Sequence, residues 1–447
     1  LEYRFIINEI EPAENLLEIN NFSETEIANA RGLIEKLSTK KNDIMKYIFS
    51  KASKGLGIKG LDHSPLLKVS LEFLVLQSLS DYTAGNRSAK LHSMIVGPPA
   101  VGKGKLSEAV RVLNPLFREA SIAKPTPAGF IGTSKSEGGK WKSEPGLFPL
   151  AHRGVLIIQD FHELKSKHET FNIFSKVMED GVVIDSSSSR ATHLALTALH
   201  LDTNKLADVY FDDSDRIQKS RYKKLKKIGI PLQILSRFDF IADFARDTAI
   251  QNMIARKMLN SDGSSKSLIG DLVFEPWVRE LQAIVAILRT DFIDIIFTPV
   301  IKKYMQEKYD ELTKEIGPGD DYISDFLPRM SQSFIKIVTA TCRGNARKEA
   351  SKEDVDYAYR FVKLKLDFLM AVKPERVGND GKSSTTISPA LLINIKYEGE
   401  TITLPMAREY VNSHIDNPVS ERQIRRYLEG ISEKAGRGKW KINKLTF

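Results

Sequence analysis

The chain has 447 residues, room for two or three domains, and its 42% hydrophobic and 28% charged fractions are ordinary for a globular protein. A net charge of +9 points to an acidic partner, with nucleic acid the first candidate, and the lack of any run of about 18 uncharged apolar residues argues against a helical membrane span. Cys342 is the single cysteine, which excludes an intrachain disulfide and any cysteine-rich zinc module, so a reducing, cytoplasmic setting is expected.

Leu1-Glu2-Tyr3-Arg4 lacks the basic-then-apolar pattern of a secretory signal, and the missing initiator Met suggests a processed product or a fragment. Residues 1–24 read as an N-terminal arm. Ser23-Glu24-Thr25-Glu26 resembles a capping box, and Ile27, Leu33, Ile34 and Leu37 recur at helical spacing. Ile44, Tyr47 and Ile48 predict a second helix, and Leu67 to Leu79 a third. The texture then changes. Leu91 to Val96, Gly154 to Ile158 and Leu194 to Leu201 read as apolar strands alternating with helices, the pattern of an α/β fold with a parallel sheet. From Asp239 to Ala371 the sequence reads as helix throughout, and Gly378 to Thr386 as a polar linker.

Gly97-Pro98-Pro99-Ala100-Val101-Gly102-Lys103 follows a predicted strand and opens a predicted helix that continues through Gly104 and Lys105. That setting is what a phosphate-binding loop requires: glycines let backbone N–H groups turn toward phosphates, the helix start adds positive potential, and Lys103 reaches the β/γ oxygens. A nucleotide with Mg2+ is the expected ligand, ATP in the family named below. The position after the lysine, where a hydroxyl would bind magnesium, is Gly104.

Gly154-Val155-Leu156-Ile157-Ile158-Gln159-Asp160 is an apolar strand with a polar end. Nucleotide triphosphatases place an Asp for the metal and then a Glu for the attacking water at this point. Here the pair is Gln159 and Asp160, so Asp160 is the candidate for base or metal ligand, and both usual protein contacts to the metal are altered.

Ile234-Leu235-Ser236-Arg237-Phe238-Asp239 resembles the Leu-Ser-Arg-Phe-Asp signature of minichromosome-maintenance (MCM) helicases. The resemblance runs in order over roughly residues 25–372, through Asn42 to Gly57, Pro127 to Gly132, Glu144 to Gly154, Val177-Met178-Glu179-Asp180-Gly181, Leu327-Pro328-Arg329-Met330-Ser331-Gln332 and Glu353-Asp354-Val355. It implies an AAA+ P-loop ATPase core at 25–240, a helical lid at 241–376, a linker at 377–387 and a winged-helix domain at 388–447. It also implies that Arg237 serves a neighbouring subunit's ATP site within a homo-hexamer, and that Arg329 contacts the γ-phosphate. Asn204 is the candidate first sensor, with Asp202 and Thr203 as competitors. The hairpin tip, where the family carries a lysine facing DNA, reads Asp185-Ser186-Ser187-Ser188-Ser189-Arg190, leaving Arg190 as the substitute. About 25 residues stand where MCM proteins carry a large N-terminal domain, which suggests a shortened, divergent relative of the kind encoded by mobile genetic elements.

Leu404 to His414 and Ser420 to Ile431 read as two helices around a turn, with Gln423, Arg425 and Arg426 on the second, as in a helix-turn-helix. Gly436-Arg437-Gly438-Lys439-Trp440-Lys441-Ile442 reads as a β-hairpin wing. Eight Lys/Arg against three acids between Ser420 and Phe447 favour DNA contact, with protein docking as the alternative.

The expected function is an ATP-dependent DNA helicase or translocase acting as a ring in DNA replication, on single-stranded or forked DNA, with a replication-initiation protein as a further partner. The alternative is a weakly hydrolysing AAA+ initiator or loader that assembles on DNA, which Gly104 and Gln159 favour. A metal-chelatase or transcription-activator ATPase is a third reading, and the terminal winged helix and the Ser236-Arg237-Phe238-Asp239 segment count against the chelatase.

Overall fold

The computed structural model describes residues 21–39, 43–58, 64–80, 83–84, 87–98, 101–120, 126–137, 140–161, 167–184, 192–204, 232–244, 275–314, 316, 326–372, 393, 397, 401–414, 421, 424–425, 428, 432–436 and 439–442. The chain divides into two compact units, Leu1–Pro374 and Glu375–Phe447.

The first described helix of the first unit is α1 (Glu24–Ser38), started by the expected capping box: Glu26 N donates to Ser23 Oγ at 3.2 Å, and Ser23 N to Glu26 Oε2 at 2.7 Å. Helices α2 (Asp43–Gly55) and α3 (Pro65–Ser78) follow. The face of α3 formed by Leu67, Leu71, Leu74, Val75 and Ser78 is buried, and so are Phe73, Leu76 and Gln77, which places the helix inside the core. Its Gln77 amide spends both donors on strand backbone, the Leu91 and Leu199 carbonyls at 3.0 and 3.1 Å.

A small hairpin, β1 (Thr83–Ala84) and β2 (Arg87–Ser88), precedes the central sheet. That sheet is made of β3 (Ser93–Val96), β4 (Phe117–Ala120), β7 (Val155–Ile158), β10 (Ala198–Thr203) and β11 (Phe240–Asp243), in the spatial order β11-β3-β10-β7-β4 and parallel throughout. Strands β3, β7 and β10 are buried along their whole length, which is why they read as apolar runs without alternation. Two further hairpins, β5 (Gly132–Glu137) with β6 (Lys140–Pro145) and β8 (Val182–Ile184) with β9 (Thr192–Leu194), stand outside the central sheet.

Two expectations need correction. The segment from Asp239 does not begin as helix, because Phe240–Asp243 pairs with β3 as an edge strand. The run Leu194 to Leu201 is not one strand: Thr192–Leu194 belongs to a hairpin and Ala198–Thr203 to the central sheet.

Helix α4 (Lys103–Leu113) follows β3, α5 (Pro127–Ile131) and α6 (Leu147–Leu150) flank the first outer hairpin, and α7 (Lys167–Asp180) leads into β8. The short α8 (Leu232–Leu235) comes just before β11. Beyond it, α9 (Pro276–Asp291) packs on α1 and α4, while α10 (Pro299–Lys314) and α11 (Leu327–Gly344) pack on α12 (Lys352–Val372). Helix α12 also lies along β11. No described helix is long and apolar enough to cross a membrane.

The second unit holds a three-stranded antiparallel sheet in the order β12-β14-β13, with β12 (Thr401–Thr403), β13 (Ser432–Gly436) and β14 (Lys439–Ile442), beside helix α13 (Leu404–His414). Ile393, Ile402, Ala407, Val411, Ile424, Leu428 and Trp440 form a separate small core. The predicted second helix is described only at Glu421, Ile424, Arg425 and Leu428, all helical.

Candidate active site

The sheet delivers chemistry at both of its ends. At the carboxyl end, β3 runs into the loop at Gly97, whose N–H still donates to Thr203 O of β10 at 3.2 Å. Parallel sheets bind ligands outside these carboxyl ends, where neighbouring connections diverge. Gly102 takes φ +95°, a left-handed turn that suits glycine, and α4 begins at Lys103 with no side chain capping its first turn. The loop therefore fits a polyphosphate, whose oxygens would take the role of the missing cap. Pro99 and Ala100 lie outside the described residues.

Lys103 is the centre of this end. Its Nζ donates to Gly97 O at 3.0 Å, Pro98 O at 2.8 Å and Asn204 Oδ1 at 2.7 Å. Asn204 in turn donates from Nδ2 to Asp160 Oδ1 at 3.2 Å. The three residues taken from sequence as lysine, sensor and acid are thus one connected chain. Burial lowers the Lys103 pKa, and the charges of Asp202 and Asp160 oppose that shift. Asp160 sits at φ +48°, a sparsely populated conformation for an L-residue, held by its own N–H on Asp202 Oδ1 at 3.0 Å.

Asp202 stands behind this chain rather than in it. Its Oδ2 accepts from Ser107 Oγ at 3.2 Å, and burial raises its pKa. Among the competitors for the sensor position, Asn204 is the one bonded to Lys103. Lys105 is exposed and paired with Glu108 at 2.6 Å, so its ammonium serves its own helix. For magnesium the fit is partial. Gly104 offers no hydroxyl, and among the described residues no group of three or more His, Cys, Asp or Glu could hold a metal. Asp160 is the available carboxylate, and an ion here would be carried largely by phosphates and water.

The amino end of the sheet is a cluster of charge. Asp239 N donates to His92 O at 2.9 Å, so the Ser236–Asp239 segment lies at the level where β3 begins. Arg237 Nη2 donates to Glu179 Oε2 at 2.7 Å, and Arg329 Nη2 approaches the same oxygen at 3.5 Å. The hydrogen bond from Arg237 is the main cause of the lowered Glu179 pKa, and burial opposes it. Glu179, Arg237, Arg329, Gln332, Ser333 and Lys336 line one open cleft. Asp239 is buried and accepts from His92 N at 2.8 Å and from Ser333 Oγ at 2.7 Å.

Glu179, Ser333, Lys336 and Lys365 also belong to this end, and no motif in the sequence assigns them a role. A signal existed for Lys365. It falls in register with Ala358, Phe361, Val362, Leu366 and Leu369, the buried stripe of α12, where an apolar residue is expected.

The candidate nucleic-acid contacts are less fully described. Arg190, Gln423, Arg426 and Arg437 lie outside the described residues. Arg425 is exposed, and Lys439 and Lys441 alternate with Trp440 along β14.

A parallel α/β sheet with a glycine loop and lysine at its carboxyl end defines a P-loop nucleotide-binding domain. The family model for the MCM P-loop domain matches residues 33–261, and the chain belongs to the MCM family. The DNA replication licensing factor MCM3 homolog 1 of Zea mays is 28% identical over 188 residues, 40% of this chain and 23% of its own length. The minichromosome maintenance protein MCM of Saccharolobus solfataricus is 22% identical over 287 residues, 62% of this chain and 39% of its own length. The DNA replication licensing factor MCM4 of Arabidopsis thaliana is 22% identical over 300 residues, 63% of this chain and 33% of its own length. The chain thus spans less than two fifths of the length of these curated relatives.

Proposed function

We propose that this chain is an ATP-dependent DNA helicase or translocase that works as a ring in DNA replication, each ATP site being shared by two subunits. The observation that carries the reading is the separation of Lys103 and Arg237 along the sheet. Lys103 lies past the carboxyl end of β3, while the Arg237 segment is bonded to His92 before its amino end. At roughly 3.3 Å per residue, the extended backbone from His92 to Gly97 is longer than an arginine side chain can span. An arginine placed there is suited to a neighbour's phosphate rather than its own.

In this reading Lys103 and the loop amides hold ATP, Asn204 and Asp160 orient the attacking water, and Arg237 and Arg329 stabilise charge building on the transferred phosphoryl group. Bound magnesium would neutralise phosphate charge, with Asp160 as its protein ligand. A homo-hexamer is the expected closed ring, since a repeated head-to-tail contact must close or grow into a filament.

The second unit is read as a winged helix. Helix α13, the helical residues around Arg425 and the β13–β14 hairpin give the expected order, with Arg425, Lys439 and Lys441, and by sequence Gln423, Arg426 and Arg437, as its DNA contacts. Arg190 on the β8–β9 connection would add a grip on the phosphate backbone that is independent of sequence.

The test is ATP hydrolysis with magnesium, with and without single-stranded DNA. Turnover stimulated by DNA and absent in Lys103→Ala supports a motor. A second reading, a weakly hydrolysing initiator or loader, is favoured by Gly104 and Gln159. ATP binding without turnover would select it.

A further inference from the structure

The arginine end of the sheet contains a buried cation that the shared-site reading has not used. Lys365 on α12 is fully buried, and its Nζ donates to Ser236 O at 3.1 Å and to Ser333 Oγ at 3.3 Å. Ser236 immediately precedes Arg237 in the chain. Ser333 lies four residues after Arg329 on α11, one turn along the same face.

We propose that Lys365 is the positioning residue of the arginine half-site, fixing Arg237 and Arg329 relative to each other by bridging the loop that carries one and the helix that carries the other. The inference rests on the shared-site reading given above.

The chemistry of the surroundings supports this role. A core position on α12 is filled most simply by Leu or Met, and an ammonium there is costly unless it is paired and hydrogen-bonded. Lys365 has both. Asp239 supplies the opposing charge, and the Ser333 hydroxyl donates to Asp239 Oδ1 while accepting from Lys365. Asp239 Oδ2 also accepts from His92 N, and Lys336 stands 3.7 Å away while donating to Lys90 O at 3.0 Å. Helices α11 and α12, the start of β3 and the Arg237 segment are therefore tied into one network. Arginine in such a role must be held close to its working geometry, because a small misplacement of a charge-stabilising group costs rate rather than binding.

The experiment uses full-length subunits mixed before assembly. Lys365→Met should bind an ATP analogue as the unaltered protein does, because its own loop is intact, while its turnover falls on the order of tenfold or more without a change in half-saturation. Mixing Lys365→Met with Lys103→Ala should restore turnover, at interfaces that join the intact loop of the first to the intact arginines of the second. The control is Arg237→Ala mixed with Lys103→Ala. If the control pair regains turnover and the Lys365→Met pair does not, Lys365 does not act through the arginines and the proposal is overturned. If the control pair also stays silent while the unaltered protein turns over, the shared site itself is wrong and the proposal falls with it; an unaltered protein that does not turn over removes the motor reading on which the proposal rests, and overturns it too. Should Lys365→Met fail to fold, Ser333→Ala is the lighter cut. It should lower turnover in the same direction, and unaltered turnover in that variant overturns the proposal.

Discussion

The two ends of the central sheet solve opposite problems. The carboxyl end leaves backbone donors available: α4 begins without a side-chain cap, while the Lys103 ammonium rests on two loop carbonyls and Asn204. The amino end commits its charges to each other, with Asp239 and Lys365 buried in one network and Arg237 and Arg329 directed at Glu179. The helix start that would receive a ligand is left under-satisfied, whereas groups that would present a fixed geometry are held on several sides. The ends also differ in departure from pattern. The metal contacts Gly104 and Gln159 are altered, and the arginine signature is intact.

The largest effect should come from cutting the arginine end. Arg237→Ala should lower turnover about a thousandfold, the scale of an arginine that stabilises phosphoryl transfer, while leaving nucleotide affinity nearly unchanged. Lys103→Ala should lose turnover and nucleotide binding together. Equilibrium binding measured beside steady-state hydrolysis separates the two, and equal loss of affinity in both variants would erase the contrast between the ends.

A smaller gain is expected from repairing the carboxyl end. A side chain at Gly104 would meet no atom within 4 Å, so Gly104→Ser fits without displacement. The added hydroxyl offers a metal contact at the start of α4 and should raise magnesium-dependent turnover about tenfold, the scale of one good interaction. A titration of magnesium against rate reads this directly. No gain would mean that the ion is already held well enough by phosphates and water.

The smallest effect concerns pH and stability. His92 and His200 are fully buried, and burial lowers both pKa values to about 3. Each therefore folds neutral, and the unfolded chain takes up protons first, below about 6.5. Stability is complete above that value and falls on acidification toward 3, by up to about 1.4 kcal/mol per pH unit for each histidine. The thermal midpoint should decline from pH 7 to 5. His200→Gln, which can still bond Ser93 and Ser107, should make the decline shallower; an unchanged slope would show that other groups govern it.

What was legible in the sequence was local. The capping box at Ser23, the loop from Gly97 to Lys103, the strand ending at Asp160 and the segment around Arg237 are contiguous, and each carries its chemistry in its own spacing. Asn204 was reachable because it follows an apolar strand. Strand β11 was misread because Phe240-Ile241-Ala242 is a short apolar run, and periodicity cannot tell such a run from buried helix. Glu179, Ser333 and Lys365 were not assigned because their roles exist only between elements distant in the chain, joined by packing.

The most direct test of the shared site is turnover per subunit followed through dilution. A site built from Lys103 of one copy and Arg237 of another requires assembly, so hydrolysis per subunit should rise steeply with protein concentration and then reach a plateau. The same turnover at every dilution, in protein shown to be monomeric at the lowest concentrations, would contradict the account.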